Sequence, residues 1–344
     1  MPLLLTGLLP TPVPLSRTAD VPHPERAIAR GELVRVRQGV YAPTELWRAL
    51  APWDRYLARV HAVALTYPNA VFSHDAAAAL RGLPVFGDPV VVHVLEDPLG
   101  RSRLVGGIRV HTHSGDREIL EIGGLLVTGI RDTAVDMARS RHRAIGLSMA
   151  DAALRADPSL DAAALQACNE RRVSKRGRAI ARWSLARANP LAESALETVS
   201  RAVTEWLGFP EPVLQVRFPT TDGGHDRSDL VWEQASVAGE CDGGLKYDGR
   251  FGEAEVVQTR QRERDARLRR HVRAVVHWGW RDAVLATPLR DMLTGAGVHP
   301  VAREDTSALF SLRRALAPAP LPPGETNAGA PPTGETNAGG RDGG

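Results

Sequence analysis

The sequence predicts an α+β protein of several domains closed by a disordered tail, and three observations predict it. The chain has 344 residues and 43% hydrophobic composition, more than one ordinary core holds and enough for two or three. Segments with helical spacing alternate with short apolar runs that fall in hairpin-like pairs. From Ala317 onward, Pro, Gly and a Gly-Glu-Thr-Asn-Ala-Gly written at 324–329 and again at 334–339 replace the apolar side chains that would offset ordering entropy.

Composition narrows the partners. The formal charge is +3, but the sequence pI is about 9.2 and arginines cluster, so basic patches suited to phosphates are expected, with DNA as the first partner to consider. Cys168 and Cys241 lie far apart and outside any C-x-x-C pair, which argues against a disulfide framework or zinc ribbon and for a reducing cytoplasm. The apolar lead at 3–9 lacks a basic flank and is too short to span a bilayer, so a soluble protein without a membrane partner is expected. The chain carries no G-x-x-x-x-G-K loop, no G-x-G-x-x-G after a strand and no G-x-S-x-G elbow, which leaves a metabolic enzyme poorly supported.

In chain order, 15–29 reads as a short helical unit with Pro24 as a helix starter, and Gly31 breaks it. Leu33, Val34, Val36, Val40 and Tyr41 then frame a turn at Gln38-Gly39. A helical unit followed by a basic two-stranded ribbon is the layout of a winged helix-turn-helix, with Arg26, Arg30, Arg35 and Arg37 as phosphate contacts, over 1–50. The alternative is a solvated basic hairpin packed on its neighbour. Gly31, Leu33, Arg35, Gly39, Val40 and Tyr41 resemble the G-x-L-x-R-x-x-x-G-V-Y of AbiEi-type antitoxins of type IV toxin-antitoxin systems. The resemblance implies a DNA-binding transcriptional regulator and raises the possibility of a cognate toxin; oligomeric state stays open.

Residues 51–155 form the expected α/β middle domain, with helices at 56–66 and 72–80, strands at 90–95 and 108–113, and a helix beginning near Arg131. The run from Thr128 to Arg139 is similar to the T-x-x-R-T-x-x-D-x-A of the antitoxin's second domain, which implies an interaction layer. Ser73, His74 and Asp75 are adjacent, which makes a helix N-cap rather than a catalytic triad. His111 and His113 share one strand face; with no third ligand in view, a surface pair outweighs a metal site. Residues 156–189 read as a basic helical linker.

The last unit, 190–300, opens with a helix at 191–206 whose stripe is Leu196, Val199, Val203 and Trp206, with Glu193 and Glu197 on one side. Apolar runs at 230–232 and 237–241 flank a polar turn and read as a hairpin. Glu240 and Asp242 then point to one face and Cys241 to the other, with Asp229 able to face the two acids. Three carboxylates on one wall call for a cation between them. Lys246, one of two lysines beside Lys175, follows the Gly243-Gly244 break. An arginine-dense helix at 257–272 supplies Arg260, Arg264 and Arg267 as further DNA contacts, and a strand at 274–280 closes the sheet.

Over roughly 190–285 these residues resemble the PD-(D/E)XK nuclease superfamily in its very-short-patch-repair-like branch. The resemblance implies a restriction-endonuclease-like αβββαβ core in which Asp229 and Glu240 hold Mg²⁺, joined by Asp242 or Glu193, and Lys246 orients the attacking water. Asp242 stands where the superfamily's lysine follows the second acid, and Gln258 and Gln261 stand where an acid is usual. Two readings follow: a Mg²⁺-dependent endonuclease, or a non-catalytic scaffold that grips DNA or a protein. Residues 301–344 are expected to be mostly disordered.

Overall fold

The computed structural model describes residues 7–96, 100–112, 116–242 and 254–316, with side chains from 259 in the last segment. These residues form a mixed α/β protein of several units with three sheets and thirteen α-helices. Among them, no helix is long and apolar enough to cross a membrane.

The first unit holds β1 (Ser16–Arg17), α1 (Pro24–Ala29), β2 (Leu33–Arg37), β3 (Val40–Pro43), α2 (Thr44–Ala49) and α3 (Pro52–Thr66). The ribbon forms as its alternating residues and turn dictate, with Gly39 at φ 79. It is not two-stranded: Ser16 and Arg17 add a third strand opposite Tyr41 and Val40. Val13 and Ala42 bury against Ala58 of α3, so the sheet is fixed to the helix that follows it.

The middle unit adds β4 (Val71–Phe72), α4 (His74–Leu80), β5 (Val92–Glu96), β6 (Arg103–Val105), β7 (Ile108–Thr112), β8 (Ile119–Ile122) and β9 (Leu125–Thr128). These strands form one mixed sheet in the order β6-β7-β5-β4-β9-β8. Phe72 pairs with Val94, so the helix expected from 72 starts at His74. Tyr56, Val60, Phe72, Leu80, Val94 and Val127 are part of the core between α3, α4 and the sheet.

Beside it stand α5 (Ile130–Ser140), α6 (Arg143–Ala156), α7 (Ala162–Arg171) and α8 (Arg178–Ala186). A Cβ on Gly146 would meet the Cα of Ala138 at 2.7 Å, so glycine lets α5 and α6 lie in close contact. The linker expected at 156–189 is corrected: Leu165, Cys168, Ala181 and Leu185 bury against Met137 and Met149. Its arginines are partly structural, since Arg172 is buried against Asp132 at 2.7 Å, and Arg182 and Arg187 pair with Glu170 and Glu205.

The C-terminal unit runs α9 (Ala195–Trp206), β10 (Val213–Pro219), β11 (His225–Trp232), β12 (Val237–Cys241), α10 (Ala254–Leu268) and β13 (Ala274–Trp278). Then come α11 (Trp280–Leu285), α12 (Thr287–Ala296) and α13 (Thr306–Leu316). The sheet order is β10-β11-β12-β13, antiparallel except for the parallel β12–β13 pair. On one face Leu230, Trp232, Val237 and Trp278 pack on Val199, Val203 and Trp206 of α9, and Ala144 and Leu147 of α6 enter the same core. Helix α6 therefore joins the middle and C-terminal units. Residues 301–316, the start of the segment expected to be mostly disordered, are ordered: Asp305 N–H bonds the Trp206 carbonyl, and Ala308, Leu309 and Leu312 of α13 are buried. Residues 317–344 lie outside the described residues.

Candidate functional site

The acidic motif sits where the C-terminal sheet loses its regular ladder. The last pair between β11 and β12 is Leu230 with Gly239. One step on, Asp229 and Glu240 stand opposite each other, and Asp229 Oδ2 accepts the Cys241 N–H at 2.9 Å in place of a ladder bond. On β10, Gln215 stands opposite Asp229 at φ 54, a left-handed conformation that costs a non-glycine residue energy. Leu214 before it enters the α9-side core, while Val216 and Phe218 after it join Val231 and Ala238 on the opposite face. Gln215 Nε2 donates to Glu197 Oε2 at 2.8 Å, so a polar row crosses the sheet from Glu197 to Glu240.

Each acid in this row has a protein partner. Glu240 is 3% exposed, and its Oε2 accepts from Arg264 Nη2 of α10 at 2.5 Å, while its Oε1 is buried and unpartnered. Burial raises the Glu240 carboxyl to about 7, with Arg264 opposing the rise and the Asp229 charge adding to it. Asp242 Oδ2 takes His277 Nδ1 at 2.9 Å and Gln261 Nε2 at 3.2 Å, and His277 Nε2 meets Asp265 at 3.0 Å. The hydrogen bond to Asp242 leads in raising the His277 pKa, with Asp265 adding to it. Glu193 pairs with Arg227 at 2.6 Å. The Glu193–Glu197 run proves to be a helix cap: Ser194 Oγ accepts the Glu197 N–H and Glu197 Oε2 the Glu193 N–H.

This arrangement does not gather the three acids around one ion. An octahedral Mg²⁺ needs neighbouring ligand oxygens about 3 Å apart. Among the described residues, Asp229, Glu240 and Asp242 do not form a group with ligand atoms within 4.8 Å of one another. The expectation of three acids awaiting one cation is corrected on that ground, because Arg264 serves Glu240, His277 serves Asp242 and Arg227 serves Glu193. Lys246 and the Gly243-Gly244 break lie outside the described residues, as does the Gln258 side chain.

The expected DNA contacts divide in the same way. Arg264 and Arg267 pair with Glu240 and, at 2.7 Å, with Asp226, whereas Arg260 is exposed along with Arg262 and Arg270. At the N-terminus Arg26 is exposed, Arg30 and Arg35 hold Glu32 and Glu25 at 2.7 Å each, and half-buried Arg37 lies over the Tyr67 ring.

A second polar cluster lies in the middle unit. His74, His93 and His111 each offer a ligand atom, and these atoms lie within 4.8 Å of one another. The sequence reading of His111 as one of a surface pair is corrected: its partners come from α4 and β5, and His113 lies outside the described residues. Burial lowers the pKa of all three, His93 to about 4 and His74 well below the usual histidine value. Ser73 stands at the N-cap of α4, yet its Oγ contacts His74 Nδ1 at 3.0 Å rather than capping the helix.

Two proteins of Mycobacterium tuberculosis, the uncharacterized protein Rv2248 of strain H37Rv and the uncharacterized protein MT2308 of strain CDC 1551, are each 34% identical to this chain over 237 residues. The match covers 68% of this chain and 82% of each relative. No family model matches the chain, and no solved structure matches it at a significant level.

Proposed function

We propose that this chain, which belongs to the same family as the Mycobacterium tuberculosis protein Rv2248, is a nucleic-acid-binding regulator of the antitoxin type with a C-terminal endonuclease-like frame that grips a phosphate backbone without cutting it. The observation that carries the reading is the division of α10. Its inner row, Gln261, Arg264, Asp265 and Leu268, faces the sheet: Arg264 pairs with Glu240, Gln261 donates to Asp242, Asp265 holds His277 and Leu268 is buried. Outside that row Arg260 and Arg262 of α10, with Arg269 and Arg270 just past its end, are exposed, positive charge suited to phosphates.

The helix-strand-strand-strand-helix-strand order from α9 to β13 supports the endonuclease-like frame, and α1 and α2 around the basic β2–β3 ribbon support the winged one. A cognate toxin would be the partner of the middle unit. The unpartnered Oε1 of Glu240 favours the cutting reading, which requires Arg264 to withdraw from that carboxylate. Fluorescence anisotropy of a DNA duplex at rising salt tests the proposal on the full chain. The log–log slope is expected to be negative and to shrink by about 1 for each of Arg260→Ala and Arg262→Ala that removes a phosphate contact. Binding that ignores both substitutions overturns the contact surface; plasmid cleavage in Mg²⁺ that Glu240→Gln abolishes replaces this reading with the cutting one.

A further inference from the structure

We propose that His74, His93 and His111 form a binding site for a divalent first-row transition ion of the Zn²⁺ class, distinct from the acidic row of the C-terminal sheet. The site is built from three elements: His74 opens α4, His93 lies on β5 and His111 on β7, the parallel neighbour of β5. One ring nitrogen of each lies within 4.8 Å of the other two. His93 Nδ1 and His111 Nε2 are 2.9 Å apart, and the His74 ring stacks on that of His111 with centroids 4.1 Å apart.

Two of the remaining ring nitrogens have a polar group behind them. Ser73 Oγ lies 3.0 Å from His74 Nδ1, which leaves His74 Nε2 as the ligand atom. Asp75 Oδ2 lies 3.8 Å from His93 Nε2 and is itself gripped by Arg141. A carboxylate behind an imidazole, and a hydroxyl behind another, are the supports that fix ring orientation at metal-bound histidines. His74 also keeps φ 50 while 6% exposed, a left-handed backbone retained at a buried histidine that aims its ring at the other two.

The donor chemistry selects the ion. Three neutral imidazoles with no carboxylate among them suit Zn²⁺, Co²⁺, Ni²⁺ or Cu²⁺ and disfavour Mg²⁺ and Ca²⁺, which prefer oxygen. With Zn–N near 2.0–2.1 Å, two tetrahedral ligand nitrogens stand about 3.3 Å apart, so the His93–His111 pair opens by roughly 0.4 Å on binding. The proton shared by that pair moves to the other nitrogen of the ring that carries it, a change of tautomer, because each ligating nitrogen must present a lone pair. Three protein nitrogens leave a fourth tetrahedral position for water or another ligand.

Cobalt titration of the full chain, stripped with chelator, tests the site. The parent is expected to show the visible d–d bands of tetrahedral Co²⁺, saturating at one ion per chain and bleached by Zn²⁺. His111→Gln should weaken Co²⁺ at least tenfold, His111→Cys should retain binding with an added thiolate-to-cobalt charge-transfer band, and Glu240→Gln should bind as the parent does. A parent without d–d bands overturns the site, as does a His111→Gln chain that binds like the parent or a Glu240→Gln chain that loses the bands. If His111→Gln fails to fold by circular dichroism, the parent bands and the His111→Cys charge-transfer band decide: either one absent overturns the site.

Discussion

The acidic row of the C-terminal sheet and the histidine trio of the middle sheet bury polar groups in opposite ways. In the acidic row each carboxylate meets a positive or N–H partner: Arg264 at Glu240, His277 at Asp242, Arg227 at Glu193 and the Cys241 amide at Asp229. In the trio like meets like, three imidazoles kept neutral by burial, with Asp75 behind His93 and the Asp136 charge acting on His111. The difference teaches that a gathering of acids in sequence says which groups are held together, not what balances them. The balancing cation comes from elsewhere: Arg264 lies 24 residues beyond Glu240.

The sharpest way to break this contrast is Arg264→Ala. Removing the cation from a carboxylate that is 3% exposed should cost about 3 kcal/mol in urea unfolding, part of it recovered in the Arg264→Ala, Glu240→Gln pair. An unchanged midpoint would show that Glu240 does not depend on Arg264.

Asp151 on α6 provides a third buried carboxylate, bonded by Thr198 at 2.8 Å and Arg201 at 3.1 Å of α9. Burial nonetheless raises it from 3.8 to about 6. A raised carboxyl holds its proton more tightly in the native state than in the unfolded one. Its contribution is therefore complete below about pH 3.8 and lost as pH rises through about 6, up to about 3 kcal/mol. Asp151→Asn should flatten the stability profile across that window, read by thermal unfolding at stepped pH.

His277 sharpens the comparison from the other sign. Its pKa is raised first by the Asp242 hydrogen bond, so its contribution is present below the ordinary histidine value and fades as pH rises through the raised one. His277→Gln should remove this alkaline loss, with a smaller effect than Asp151→Asn because the ring is partly exposed. The smallest effect is expected at Arg262, exposed on the outer row of α10. Arg262→Ala should stay within about 0.5 kcal/mol of the parent in urea while still lowering the salt slope of DNA binding.

The sequence makes some of this legible. Alternating Val and Leu around Gln38-Gly39, and the runs flanking Glu233–Ser236, mark the two hairpins because period-2 burial and turn chemistry are local. Strand β10 is harder: Leu214, Val216 and Phe218 alternate, yet Gln215 at φ 54 sends them to two faces, which no pattern of residue types predicts. Strand β1 is two residues long and owes its existence to pairing with β3. The arginines of 171–187 suggest a solvated linker and hide the buried row Leu165, Cys168, Ala181 and Leu185. At the acidic row the hairpin is readable and the partners are not, since Arg264 and His277 belong to later elements. The trio has no motif at all, because its members are 19 and 18 residues apart and meet only when β5 and β7 pair beside α4.

Calorimetric titration of Mg²⁺ into the full chain and into Glu240→Gln tests the central claim, that the protein's own cations and N–H groups rather than Mg²⁺ balance the acidic row, most directly. The account predicts the same absence of saturable heat in both. A stoichiometric Mg²⁺ binding event in the parent that disappears in Glu240→Gln would contradict it.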